Sequence, residues 1–236
     1  MPSRNRSSLL LVCATSIEAG LLRAHWGLPD AQIGATELFG KRDLGITLLQ
    51  TGIGMTNTAW HLGRILQQGK PDVAIQFGIA GAFPGGPAVL DVVEVVEDCY
   101  AELGADRPGG FLTLEQLGFA HFRHGGTAYF NAVSQPRPPM ELARGCRGIT
   151  VNTVSGTRET IDSRQQRWNP EVETMEGAPF FQGCIMEEVP FRAFRTISNL
   201  VEPRNRPAWR ISEAAEKMQH FMIDLVGKIQ MEEIIL

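Results

Sequence analysis

The sequence predicts an α/β fold built on a mainly parallel sheet. Short apolar runs rich in β-branched residues recur along the chain, and several alternate with segments of helical periodicity. The length of 236 residues gives room for one large domain with a real core, and nothing in the composition marks a linker or an internal repeat, so a single domain over residues 1–236 is expected.

The first predicted strand is LLLVCAT, Leu9–Thr15; the basic residues before it imitate a secretory leader, but the apolar run is too short for one. Further strands are expected at ITLLQT (Ile46–Thr51), VAIQFGIA (Val73–Ala80), VLDVVEVVE (Val89–Glu97), ITVNTVS (Ile149–Ser155) and VPFRAFRTIS (Val189–Ser198). A short strand should end at Glu176. Helices are expected over Thr56–Leu66, where Ala59, Leu62, Ile65 and Leu66 share a side, and over Ala178–Glu187. The last helix should start at an N-cap Ser212, carry Glu213 and Glu216 in its first turn, and bury Met218, Phe221, Met222, Leu225, Val226 and Ile229. Between Ala101 and Pro139 the pattern weakens, which suggests long loops or excursions over a site.

Hydrophobic residues make up 43% and charged residues 20%, which argues against disorder and coiled coil. Lysine and arginine number 22 against 26 acids, a net charge of −4 that lacks the electrostatic footprint of a nucleic-acid or anionic-membrane binder. No stretch approaches the roughly 18 to 20 apolar residues of a membrane helix. Cys13, Cys99, Cys146 and Cys184 form no C-x-x-C pair, which fits a reducing compartment, so a soluble, cytoplasmic protein is expected. His121 and His124 have a spacing that could ligate a metal on a helix, but no third ligand accompanies them and no metal is expected.

Four segments are candidates for chemistry, each with a structural alternative. TGIGMTN (Thr51–Asn57) is either a tight strand-to-helix turn or part of a dinucleotide fingerprint; its third glycine is missing and Asp72 is badly placed for a ribose. FGIAGAF (Phe77–Phe83) is a structural turn or a ligand loop at the carboxyl end of a strand. Glu176, in ETMEGAPFF, is a helix-dipole partner or a carboxylate held out into a cleft. Ser198 and Asn199 end a strand, where a polar pair suits a site or an ordinary turn. Neither a G-x-S-x-G elbow nor a phosphate-gripping G-x-x-x-x-G-K-[ST] loop is present.

Taken in order, CATSIEAGLL, TGIGMTN, GIAGAF, TMEGAP and RTISN resemble the nucleoside phosphorylase and nucleosidase superfamily, over Leu9–Gly227. The resemblance implies a three-layer sandwich, a twisted, mainly parallel mixed sheet flanked by helices. It is strongest to the branch that splits hypoxanthine from futalosine in menaquinone biosynthesis, because Asn199 stands where adenine-releasing relatives carry aspartate. By position, the resemblance makes Glu18 the glutamate that deprotonates water, Glu176 the carboxylate on the ribose hydroxyls, Met175 a packing partner of the sugar, and Ser198 and Asn199 the purine contacts. Ala80 and Gly81 would line the ligand, and Thr160 would offer backbone contacts to the base. Glu159 occupies the place of the family's stacking aromatic, and Arg204 and Arg206 are candidates for a distal carboxylate or are solvated arginines or ion-pair partners of Glu202. The family's phosphate arginine before the glycine loop is absent from VAIQFGIAG, which implies water as nucleophile. A small purine nucleoside as partner, no cofactor and a homo-oligomer complete the expectation.

Overall fold

The computed structural model describes residues 7–29, 32–34, 36–41 and 44–230. The basic residues Arg4 and Arg6 of the leader-like start lie outside them. In chain order the first elements are β1 (Ser7–Cys13), α1 (Ser16–Trp26), β2 (Thr36–Lys41), β3 (Leu44–Gln50), α2 (Met55–Gln68), β4 (Val73–Ala82) and β5 (Val92–Cys99). Two small hairpins follow, β6 (Gly104–Arg107) with β7 (Gly110–Thr113), then, after the one-turn α3 (Leu114–Leu117), β8 (Phe122–His124) with β9 (Thr127–Tyr129). The chain continues through β10 (Ala132–Ser134), β11 (Arg144–Thr150), α4 (Arg158–Trp168), β12 (Val172–Thr174), α5 (Gly177–Met186), β13 (Phe191–Leu200) and α6 (Ile211–Gln230).

The sheet is mixed, with a parallel centre. β3, β1, β4 and β13 lie side by side and parallel, while β2 and β10 run antiparallel at the two ends. β13 also pairs with β5, β5 with β11, β11 with β12, and β12 returns to β4, so five strands close a ring at one end of the sheet. Alternation along β1 makes the three layers. Leu10 and Val12 pack with Leu62 and Leu66 of α2 and Phe180, Phe181 and Cys184 of α5. Leu9, Leu11 and Cys13 pack with Ala19 and Leu22 of α1 and Met218, Met222, Leu225 and Val226 of α6. A strand buried on both faces needs apolar residues at every position, which is why these segments read as continuous runs.

Four expectations are corrected. The strand expected over Ile149–Ser155 ends at Thr150; the Val151 amide still reaches the Thr174 carbonyl, but residues 152–155 leave the sheet, and Ser155 donates to the Glu173 carboxylate of β12 instead of to a strand backbone. FGIAGAF is not a turn, because β4 runs through it to Ala82. Ser212 lies inside the first turn of α6, where the Arg210 carbonyl accepts the first helical bond from Ala214. Residues 101–139 form the two hairpins and an edge strand; Phe122 stacks on Tyr129 at 4.4 Å, and His121 and Tyr100 both bond Gln182 of α5. These aromatics pack against the body and none lines the cavity described below.

Candidate active site

The carboxyl ends of β1, β4, β12 and β13 open into a cavity of about 280 Å³. Glu18, Ala80, Gly81, Met175, Glu176, Ser198 and Asn199 all line it, so seven of the eight positions singled out by sequence converge there. The eighth, Thr160, does not: it sits in the first turn of α4, where its amide and hydroxyl meet the Thr157 hydroxyl, and it lines a separate cavity with Glu159, Arg164 and Arg167.

Glu18 is placed by the start of α1. Thr15 and Glu18 have capping-box spacing, and one carboxylate oxygen, Oε2, accepts from the Thr15 amide at 2.9 Å, the Ala14 amide at 3.1 Å and the Thr15 hydroxyl at 3.0 Å. The other oxygen, Oε1, accepts from the Ile79 amide of β4 at 3.1 Å. Four donors fix the group, yet Oε1 keeps a lone pair for a further hydrogen bond.

Two glycines of β4 make room for the chemistry. A Cβ on Gly78 would stand 2.5 Å from Glu18 Oε1, and one on Gly81 would stand 3.1 Å from Asn199 Nδ2 and 3.0 Å from a Val201 methyl. Glycine inside a strand weakens it, so its presence here reflects the close approach of these side chains. Gly78→Ala is expected to leave a folded protein, because the displaced atom is the end of a flexible side chain, while lowering kcat about 10²-fold by moving the carboxylate. Steady-state kinetics beside a thermal melt check this; unchanged kcat would mean that the position of Glu18 does not matter.

Glu176 is the N-cap residue of α5, but its side chain makes no cap bond there. Its carboxylate crosses to the start of α2, where Oε1 accepts from the Gly54 amide at 2.8 Å, and Oε2 accepts from the Met175 amide at 3.2 Å. TGIGMTN thus turns the chain and offers an amide to a carboxylate. Burial, reinforced by the negative charge of Glu18, pushes the Glu176 carboxyl up to about 7, against the pull of the Gly54 amide and the Arg195 guanidinium.

Arg195 and Gln76 were not singled out by sequence. Arg195 is 2% exposed on β13; it donates to Gln76 Oε1, and Gln76 Nε2 donates to the Glu176 carbonyl at 3.2 Å. The available signal was an arginine in a strand otherwise buried on both faces, where a charge needs partners.

Ser198 and Asn199 end β13. The Ser198 hydroxyl, also within reach of the Ala80 carbonyl, donates to Asn199 Oδ1 at 2.8 Å, and Nδ2 donates to the Leu200 carbonyl at 2.9 Å. One Nδ2 hydrogen remains for a ligand. Thr15, Ser155, Glu173 and Thr174 add polar groups to the wall, and Ile17, Ile53, Val154, Val201, Trp209 and Ile211 make its apolar part. The Arg204 guanidinium lies over Trp209, 5.3 Å from the ring centroid; Glu202 accepts instead from Asn205, and Arg206 opens a short exposed turn. Among the described residues no three His, Cys, Asp or Glu side chains group to hold a metal, and no helix is long and apolar enough to cross a membrane.

Residues 8–228 match the phosphorylase superfamily. A futalosine hydrolase from Thermus thermophilus is 35% identical over 211 residues, covering 87% of this chain and 89% of its own length. A 5'-methylthioadenosine/S-adenosylhomocysteine nucleosidase from Glaesserella parasuis is 27% identical over 77% of this chain and 80% of its own. In fold, the chain is similar to a nucleosidase of the same name from Neisseria meningitidis solved in complex with methylthio-immucillin-A, with a TM-score of 0.74 at 17% identity over 93% of this chain and 98% of that one. The chain therefore belongs to the phosphorylase superfamily and is an N-glycosyl hydrolase, a nucleosidase, within it.

Proposed function

We propose that this chain hydrolyses the N-glycosidic bond of futalosine in the cytoplasm, releasing hypoxanthine and dehypoxanthine futalosine as a step of menaquinone biosynthesis. The observation that carries the reading is one cavity lined by an anchored carboxylate, Glu18, a second carboxylate, Glu176, and a neutral amide, Asn199. Breaking the bond builds positive charge on the ribose and negative charge on the departing purine. Glu18 Oε1 takes a proton from water as general base, worth about 10²- to 10⁴-fold. Glu176 accepts from the ribose hydroxyls and stabilises the cationic sugar, with Met175 packed on it. The remaining Nδ2 hydrogen of Asn199 meets the N7 and O6 edge of the leaving base. Carboxylates on the cavity wall would repel a phosphate dianion, which favours water as nucleophile.

Ile17 and Ile53 line the cavity yet are 59% and 58% exposed, and Leu21 and Trp60 extend the same apolar character over α1 and α2. On this reading a second copy of the chain packs over that face and narrows the mouth. Sedimentation that gave only monomer would remove this part.

The test is incubation of the purified chain with futalosine, aminodeoxyfutalosine, methylthioadenosine and inosine, without phosphate, with chromatography of the released base. Hypoxanthine from futalosine alone is expected. Adenine release would instead favour the adenine-releasing nucleosidases, to which the chain is also similar. Asn199→Asp is expected to cut the rate on futalosine about 10²-fold and raise it on the 6-amino substrate, since a carboxylate repels O6. Full futalosine activity with no gain on the 6-amino substrate would contradict this account of leaving-group recognition.

A further inference from the structure

Because the Glu176 side chain does not cap α5, the first amides of that helix need other acceptors. The Phe180 amide bonds the Glu176 carbonyl at 3.4 Å, and Pro179 has no N–H. Two amides remain. Ala178 donates to the Thr150 hydroxyl at 2.8 Å, and Gly177 donates to the Thr174 hydroxyl at 3.3 Å. These threonines face each other in register on β11 and β12, so two strands of the sheet cap a helix that its own N-cap residue leaves open.

Asp98 of β5 sets the direction of both hydroxyls. It is fully buried, and its Oδ1 accepts from the Thr150 hydroxyl and from the Cys99 amide, each at 2.7 Å. Among the described residues Oδ2 has no hydrogen-bond partner; it lies against the start of α5, where a Cβ on Gly177 would stand 1.9 Å away. Residue 177 therefore has to be glycine, and the positive end of the helix favours the charge beside it. Burial pushes the Asp98 carboxyl up to about 6, against the Thr150 hydroxyl, the Arg195 guanidinium and the Cys99 amide, so the group is ionised at neutral pH. An ionised carboxylate only accepts. The single Thr150 proton goes to Asp98, which makes Thr174 the donor in the 3.4 Å contact between the two hydroxyls. With their protons turned that way, both hydroxyls present lone pairs to the amides of α5.

We propose that Thr150, oriented by Asp98, is a positioning residue of the nucleosidase reaction: it caps α5 in place of Glu176 and so leaves the Glu176 carboxylate free for the cavity. The proposal rests on the reading above in which Glu176 contacts the ribose. A carboxylate at an N-cap accepts from the second or third amide of its helix. In α5 the third residue is Pro179 and the second amide, that of Ala178, is taken by Thr150. Without the Thr150 hydroxyl the Ala178 amide becomes a buried donor with no acceptor, and the N-cap carboxylate is the group that fills that place. Turning there would withdraw Glu176 from the Gly54 amide and from the sugar.

The experiment measures kcat/KM for whichever of the four nucleosides above the wild type hydrolyses fastest, so the outcome does not depend on which base leaves. Thr150→Val keeps the shape of the side chain and removes the hydroxyl. It is expected to lower kcat/KM about 10- to 100-fold in the wild type but less than about threefold when added to Glu176→Gln, because the loss acts through Glu176. Equal factors in the two backgrounds would make Thr150 a purely structural residue and overturn the proposal. Thr150→Ser keeps the hydroxyl and should stay within about threefold of wild type. Asp98→Asn keeps an oxygen for Thr150 and Cys99 and should do the same. A loss in the serine variant as large as that of Glu176→Gln would show that the hydroxyl is not what matters; the same loss in Asp98→Asn would put the effect in the Asp98 charge instead of the cap. Either result overturns the proposal, and both can be read even where the valine variant does not fold. Full activity of Glu176→Gln would instead overturn the ribose role of Glu176, and this proposal with it.

Discussion

Glu18→Gln is expected to give a folded protein whose kcat for nucleoside hydrolysis is lower by about 10²- to 10⁴-fold, with KM changed little. The three donors around Oε2 will keep the amide oxygen on their side, at Ala14 and Thr15. The new NH2 then takes the place of Oε1, where it faces the Ile79 amide, donor against donor. That mismatch costs about 1–3 kcal/mol locally, small enough for a core this size to absorb. It also removes the Oε1 acceptor that Glu18 offers to the cavity, so a water bound there loses its base while the substrate loses no contact. Single-turnover kinetics beside a thermal melt separate the two consequences. A kcat within about threefold of wild type, with a lowered melting temperature, would leave Glu18 as a capping residue only.

That ambiguity is built into the sequence. A threonine three residues before a glutamate at a helix start is a capping box, and the structure does use it as one; the catalytic assignment came from resemblance, not from spacing. Convergence of the motifs could not be read either. Glu18 and Gly78 are 60 positions apart, and only the parallel pairing of β1 with β4 brings the end of one beside the glycine of the other. The glycines of β4 read as a loop because glycine is a poor strand former; a side chain arriving from another element overrides that preference. Thr160 fails for the reverse reason. Its motif neighbours set a helix N-terminus at Thr157, and the helix then points that turn toward a different cavity.

The fold was more legible than the site. Continuous apolar runs located β1, β3, β4, β5 and β13, since strands covered on both faces cannot hide polar residues, and the periodicity of α2 and α6 stood out for the converse reason, one face being wet. β2 and β6 to β10 escaped because short edge strands and hairpins carry no such run. The polar buried groups escaped too. Arg195, Glu173 and Asp98 look like surface residues by type, and only their partners, Gln76, Arg164 with Ser155, and Thr150, show why burial is tolerated.

Glu176→Gln is expected to cut kcat/KM about 10²- to 10³-fold and, above pH 7, to make the unliganded protein more stable than wild type. Burial raises this carboxyl from an ordinary 4.5 to about 7, and Glu18 adds to the rise. Between those values the native state holds a proton that the unfolded chain has released, so stability is full below about 4.5 and is lost as pH rises through about 7. Asp98, pushed up from 3.8 to about 6 mainly by burial, contributes in the same direction over its own lower window. Glutamine is uncharged and keeps an oxygen for the Gly54 amide, so it removes the larger of these two losses. At pH 8 the gain should be about 1–3 kcal/mol, roughly 3–8 °C in melting temperature, with little difference at pH 4.5. Activity runs the opposite way. The ionised form accepts from the ribose hydroxyls and faces the cationic sugar, so wild-type kcat/KM should climb through an apparent pKa of about 7 as the proton leaves. Melting curves from pH 4.5 to 8.5 and a pH profile of kcat/KM test both halves. A variant that melts lower than wild type at pH 8 would show that the charge is compensated in the native state. The carboxylate would then be a structural group, not one whose charge destabilises the empty site and is stabilised by the sugar cation.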